Sequence, residues 1–361
     1  GQLGDAVRGE HPPRRPRPAV RDDADPAGGP DHPDRHLDVG VDLGHVVAAV
    51  AGQVVRERSE TVYVASKIPP KNSQWPARAG VPANEAFTAE HVISSTETSL
   101  SNLGLDTIDV QQFHVWSDEW VGQGDWLEGV RKLKEQGKIR HFGVSINDNQ
   151  PANAIKLIES GVVDSVQVIY NIFEQAPEDE LLPACEKHNV GVIVRVALDE
   201  GGLTGSIKPD TTFDEDDFRS HYFRDDRKQQ VYDRVQKIVS DLGIGEDEIA
   251  ETALRYVLSH PAVSTVIPGM RSVRNVERNM KIGDGRGLHV GVGDLRPQTK
   301  PDQEPRALPK SGYGKDVVEV EGSLQRRFWR TPTGTAVAYE VNCRRGRKVG
   351  RNPQRSTAAA T

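Results

Sequence analysis

Residues 165–198 read SVQVIYNIFEQAPEDELLPACEKHNVGVIVRVAL. Two nearly continuous apolar runs, SVQVIY and GVIVRV, flank a mixed charged and apolar segment over 178–188 that closes on Asn189. An apolar run without polar alternation suits a strand covered on both faces, as in a parallel sheet. An Asn just past the last helical turn supplies a left-handed cap. Strand, helix and strand together make one βαβ unit.

The same rhythm extends outward in both directions. Strands are expected at 61–66, 109–113, 139–145, 165–171, 191–198 and 264–268, with helices near 88–103, 125–136, 150–160, 178–188, 229–242 and 246–259. Gly104, Gly137 and Gly161 close three of those helices as Asn189 closes a fourth. Two parallel architectures compete, an open doubly wound sheet and a closed barrel. The open dinucleotide fold calls for G-x-G-x-x-G in its first strand-to-helix turn, and no strand here is followed by one; GDGRG at 283–287 follows a helix. Polar residues instead stand at the C-terminal ends of successive strands: Lys67, His114, Ser145 with Asn147, Asn171, Arg195 with Asp199, and Arg271. Convergence of that kind is what the catalytic face of a barrel requires. The expected fold is an α/β (β/α)8 TIM barrel, incomplete or irregular in its first two strands, since only 37–43 offers a strand-like run upstream.

Composition divides the chain into three. Residues 1–58 contain no Lys, Ser, Thr, Asn, Ile, Met, Cys or aromatic residue, and Pro and Arg crowd 12–18. Residues 1–36 lack the apolar periodicity that offsets ordering entropy and read as low-complexity and disordered. Residues 37–282 form the barrel. Residues 283–361 read as an irregular basic tail with Arg344, Arg345, Arg347, Lys348, Arg351 and Arg355. The missing residue types upstream suit out-of-frame reading of a GC-rich gene, which resequencing of the coding DNA would test.

A net charge of -7 argues against a nucleic-acid partner. Two cysteines, Cys185 and Cys343, are too few for a disulfide framework or a four-cysteine zinc site, and no metal is expected. No apolar run reaches the roughly 18 residues of a membrane span, and the N-terminus lacks a signal peptide's apolar middle. A cytoplasmic location is therefore expected.

VYVASK (62–67), LSNLGLDTIDVQQFHVW (100–116), EQGKIRHFGVS (135–145), SVQVIYN (165–171), DELLPACEKHNVGVIVRVAL (179–198), GLTG (202–205) and VIPGMRSVRNVERN (266–279) follow one another in order. Together they resemble the aldo-keto reductases over about residues 54–282. The resemblance implies a (β/α)8 barrel that binds NADPH, with NADH possible, and reduces a small-molecule aldehyde or ketone. It implies Lys67 and His114 as catalytic residues, and by alignment of HLDVGVDLGH, Asp38 as the carboxylate beside the lysine. At the position of the family's proton-donating tyrosine the same alignment puts Leu43, and Tyr63 lies about 13 Å along the strand from Lys67 at ~3.3 Å per residue. That departure opens an alternative, a catalytically impaired dinucleotide-binding barrel acting as a sensor or regulatory subunit.

For the cofactor, the resemblance implies Ser145, Asn147 and Gln167 at the nicotinamide carboxamide and Arg195 stacked on its ring. It implies Leu198 and Gly202 at the pyrophosphate, and Gly269, Met270 and Arg271 at a helix N-terminus suited to phosphate. Arg271 would pair with a 2′-phosphate, and Asn275 and Asn279 would reach the adenosine. Trp75, Trp116 and Trp120, in the loops after the strands of Lys67 and His114, are expected to line an apolar substrate pocket, the alternative being that they pack those loops onto the barrel rim. The acidic segment 212–226 is expected to be a solvated loop or lid.

Overall fold

The computed structural model describes residues 43–270 and 272–288, together with the strand segments 318–321, 330–331, 334–335 and 339–341. Six parallel strands run in chain order, β1 (Tyr63–Ile68), β2 (Ile108–Phe113), β3 (Ile139–Ser145), β4 (Ser165–Ile169), β5 (Gly191–Arg195) and β6 (Val263–Val266). The helices are α1 (Leu43–Glu57), α2 (Ala83–Ala86), α3 (Ala89–Leu103), α4 (Trp126–Glu135), α5 (Ile155–Glu159), α6 (Leu181–His188), α7 (Arg219–Tyr222), α8 (Arg227–Leu242), α9 (Ile249–Ser259) and α10 (Val273–Lys281). Six of the eight parallel strands of a (β/α)8 barrel are thus present among the described residues. The free side of β1 pairs antiparallel with β7 (Val318–Glu321), which pairs in turn with β10 (Tyr339–Val341); β8 (Arg330–Thr331) and β9 (Gly334–Thr335) form a separate two-stranded ladder.

Alternation along each strand sorts side chains onto two faces. Ile68, Phe113, Phe142, Val166, Val194 and Val266 belong to one large buried cluster with the helices. The opposite face carries only small apolar contacts, Ala65 with Val110 and Ile193 with Ile267. Between those contacts the inward positions are polar: Lys67, Gln112, Ser145, Ser165 and Gln167 are all buried. The hydrophobic effect is spent on the outer face, which leaves the inner one for chemistry.

Several expected boundaries move, each for a local reason. The first strand ends at Ile68, because the ladder continues through Lys67↔Gln112 and Ile68↔Phe113, so Lys67 lies within β1 and not beyond it. The strand expected over 191–198 stops at Arg195, where Val196 takes a left-handed φ of 55° that breaks the ladder. The helix expected over 150–160 shrinks to Ile155–Glu159, because Asn147 and Asn153 tie the preceding turn through Gln150 Oε1 and Trp116 O. Of the strand-like run 37–43, residues 37–42 lie outside the described residues, and Leu43 opens a helix. Gly104, Gly137, Gly161 and Asn189 all take left-handed φ between 57° and 71°.

Candidate active site

Parallel pairing of β1 with β2 sets Lys67 beside Gln112, and the chain leaves β2 with the His114 N–H donating to Ile68 O at 3.0 Å. Lys67 is 3% exposed. The Trp75 ring stands edge-on to His114, with centroids 5.6 Å apart and planes at 84°. Burial, then the charges of Lys67 and Arg195, lowers the His114 pKa from 6.5 to about 3. The imidazole is therefore neutral at physiological pH, a donor through one nitrogen and an acceptor through the other. Lys67, Trp75, His114 and Arg195 thus come from four separate places in the chain to one spot at the strand ends.

Ser145 and Gln167 are register partners across β3 and β4, both buried. Neither Gln167 Oε1 nor Nε2 has a hydrogen-bond partner among the described residues. A buried amide left unpaired costs about 1–3 kcal/mol, so this one suits a ligand group that both donates and accepts. A carboxamide does both, and the nicotinamide group implied by the resemblance fits these residues. The Arg195 guanidinium donates to Ile146 O at 3.1 Å and pairs with Asp148, which fixes it against the end of β3.

The other expected residues divide. Asn147 is engaged by protein: its Oδ1 accepts from Ala77 N at 3.1 Å, and its Nδ2 donates to Ala77 O and Gln150 Oε1, both at 3.0 Å. Leu198 and Gly202 lie in the turn after β5, where a Cβ on Gly202 would come within 2.5 Å of Asp199 Oδ2. Gly269 and Met270 follow β6, and Ser272 Oγ caps α10 by accepting from Asn275 N at 3.3 Å. Asn275 is exposed while Asn279, one turn on, is buried. Arg271 and Asp38 lie outside the described residues. Tyr63 is four residues before Lys67 on the same face, packed on Ala65 and Val110. Of the three tryptophans only Trp75 meets His114. Trp116 and Trp120 are buried and stand edge-to-face with each other 5.7 Å apart; their N–H groups donate to Asp118 Oδ1 at 3.0 Å and Val81 O at 2.7 Å. Both indoles pack loops onto the barrel rim.

Asp199 is a strand-end polar residue in the sequence, but its partners escape a reading of the sequence. Asp199 is buried and accepts from the Tyr222 hydroxyl and, at 3.3 Å, from Arg227, whose guanidinium lies 4.3 Å from the Tyr222 ring centroid. Burial raises the pKa of Asp199 and, with the nearby carboxylate, that of Tyr222. Phe213 stacks on Phe223 at 5.7 Å, and Arg219 lies over Phe213. The segment 212–226 is therefore anchored by its aromatic residues, while Asp214, Glu215 and Asp216 stay exposed. The advance signal was Asp199 at the end of an apolar strand, in Asp-Glu-Gly-Gly; nothing in the sequence pairs it with Tyr222 or Arg227.

No helix among the described residues is long and apolar enough to cross a membrane. The sequence profile of the aldo/keto reductase family matches residues 44–285. An aldo-keto reductase of Bacillus subtilis strain 168, YhdN, is 27% identical over 197 residues, which are 52% of this chain and 56% of that protein. The NADH-specific methylglyoxal reductase of Escherichia coli K12 is 26% identical over 212 residues, 58% of this chain and 62% of that one. Among solved structures, the glycerol dehydrogenase of Gluconobacter oxydans superposes with a TM-score of 0.53 at 27% identity, covering 68% of this chain and 73% of that one. The matched region thus spans little more than half of the two curated relatives' length.

Proposed function

The chain belongs to the aldo/keto reductase family, and from that premise we propose that it reduces an aldehyde or ketone with NADPH, or secondarily NADH, as hydride source. The observation that carries this reading is the neutral His114 beside the buried Lys67 at the open ends of β1 and β2. In the proposed site His114 donates its N–H to the substrate carbonyl and orients it. Lys67 stabilises the negative charge that grows on that oxygen, a charge interaction strengthened by exclusion of water. Asp38 would keep the lysine charged. With Leu43 where the resemblance puts a tyrosine, the proposal gives Lys67 the proton too. Its charge bears on the imidazole more strongly than that of Arg195. After donation the neutral amine regains its proton from solvent.

Ser145 and Gln167 would hold the carboxamide, and Arg195 would lie on the ring, where its charge favours the reduced, uncharged nicotinamide. Asn147 would support that end of the site through Ala77. Leu198 and Gly202 would pass beside the pyrophosphate, Gly269, Met270 and Arg271 beside the 2′-phosphate, and Asn275 and Asn279 beside the adenosine. When bound, the dinucleotide supplies the hydride. The regulatory-subunit alternative draws no support from the site, because His114 and Lys67 come together there. Loss of NADPH absorbance with a panel of aldehydes tests the proposal. Lys67→Met should lower turnover by about 100-fold or more, with NADPH binding retained. A wild-type chain that consumes no NADPH with any carbonyl, or a fully active Lys67→Met, overturns it.

A further inference from the structure

Beside Trp75 the loops after β1, β2 and β3 border an open cleft of about 360 Å³, lined among others by Ala77, Arg78, Asp118, Glu119, Gln150 and Lys156. Its walls are tied together. Asn147 holds both polar groups of the Ala77 backbone. Glu119 Oε2 accepts from Gly80 N at 2.7 Å, and Asp118 accepts from Trp116 Nε1 at 3.0 Å and Lys156 N at 2.8 Å. The two carboxylates are therefore engaged in holding the loops. Arg78 and Lys156 differ: both are exposed, and neither side chain has a hydrogen bond or ion pair among the described residues. The loop of Arg78 begins next to Trp75, whose ring meets His114.

We propose that a carbonyl compound seated at His114 extends its far end past Trp75 into this cleft, and that the cleft is a substrate subsite for a terminal carboxylate, bound by Arg78 and Lys156, so that the substrate class is acidic aldehydes or ketones. This rests on the reading of His114 and Lys67 as the reacting centre. The guanidinium fork matches a carboxylate in geometry, and the ammonium adds a point charge. With both cations present the charged lining is balanced by Asp118 and Glu119; with both removed it is negative, and the subsite becomes repulsive to anions.

The test compares two aldehydes of equal chain length, one ending in a carboxylate and one in a methyl group. The wild-type chain should favour the acid in kcat/KM by about tenfold, the product of two exposed charge contacts of a few-fold each. R78A/K156A should abolish that preference while the neutral aldehyde stays within about twofold, and salt near 0.5 M should narrow it in the wild type. Equal handling of the two aldehydes, or a preference that survives in the double variant, overturns the proposal. Succinate, which cannot be reduced, separates this failure from failure of the catalytic reading. If neither aldehyde turns over, succinate binding to the wild type, read by tryptophan fluorescence and lost in R78A/K156A, still supports the subsite. No succinate binding to the wild type overturns it.

Discussion

Gly143 has no side chain because its neighbours already occupy the space. A Cβ there would lie 2.4 Å from Ser165 Oγ, 3.0 Å from Ser165 O and 3.1 Å from Gln112 Cγ. The first atom can move and the second cannot. Gly143→Ala should therefore destabilise the fold by about 1–3 kcal/mol, the usual range for overpacking. Ser165→Ala in the same chain should recover part of that loss and not all of it. Chemical denaturation of the two single variants and the double closes the cycle, and simple additivity would show that the two sites do not touch. A second residue-scale prediction concerns protons. His114 titrates near 6.5 unfolded and near 3 folded, so between those values the unfolded chain binds the extra proton. Stability from this group is complete above about pH 6.5 and declines as pH falls toward 3, with a limiting slope of ~1.4 kcal/mol per pH unit. His114→Gln should flatten the pH dependence of unfolding in that window relative to wild type. An unchanged slope would mean that the imidazole is not held neutral.

At the scale of elements, α1 shows what patterning conceals. Its sequence LGHVVAAVAGQVVRE mixes small and β-branched residues, whose restricted χ1 argues weakly for helix. Tertiary contact makes up the difference. Gly52 lies against the end of α3, where a Cβ would be 1.7 Å from Leu103 O, and the Arg56 guanidinium donates to Leu103 O and Gly104 O, each at 2.9 Å. The helix thus caps its neighbour's unpaired carbonyls. Arg56→Ala should cost about 1 kcal/mol through those bonds, and Gly52→Ala more, because backbone must move. Thermal melts of both variants check the order; an Arg56→Ala loss exceeding that of Gly52→Ala would reverse the assignment. The six strands were legible because each is a compact apolar run closed by a turn or cap residue. The positions of Lys67 and His114 followed from the same runs, and the structure sets Lys67 near the end of β1 and His114 just past β2. Trp116 and Trp120 misled: an aromatic in a rim loop reads the same whether it faces a cleft or packs the loop down. Asp199 was legible as a strand-end polar residue, but its pairing with Tyr222 and Arg227 was not, because the partners lie 23 and 28 residues away and only the folded turn after β5 unites them.

At the scale of the whole molecule, the residues assigned to the cofactor are dispersed over β3, β4, β5, the turn after β5 and the entry to α10. A ligand that touches all of them would resist separation of any two, so its binding should stabilise the strands as a unit. For one site at free NADPH of about 100 times Kd, linkage gives ~2.7 kcal/mol, which corresponds to roughly 5–11 °C in melting temperature at about 2–4 °C per kcal/mol for a domain of this size. The same concentration of NADH should give less if Arg271 pairs with the 2′-phosphate. Arg271→Ala should then weaken NADPH by about tenfold, or ~1.4 kcal/mol, and leave the NADH shift where it was. Differential scanning fluorimetry on wild type and variant with each dinucleotide reads all four values. Equal shifts for the two dinucleotides in wild type would remove Arg271 from cofactor choice, and a flat response to both would separate the strand-end polar groups from dinucleotide binding altogether.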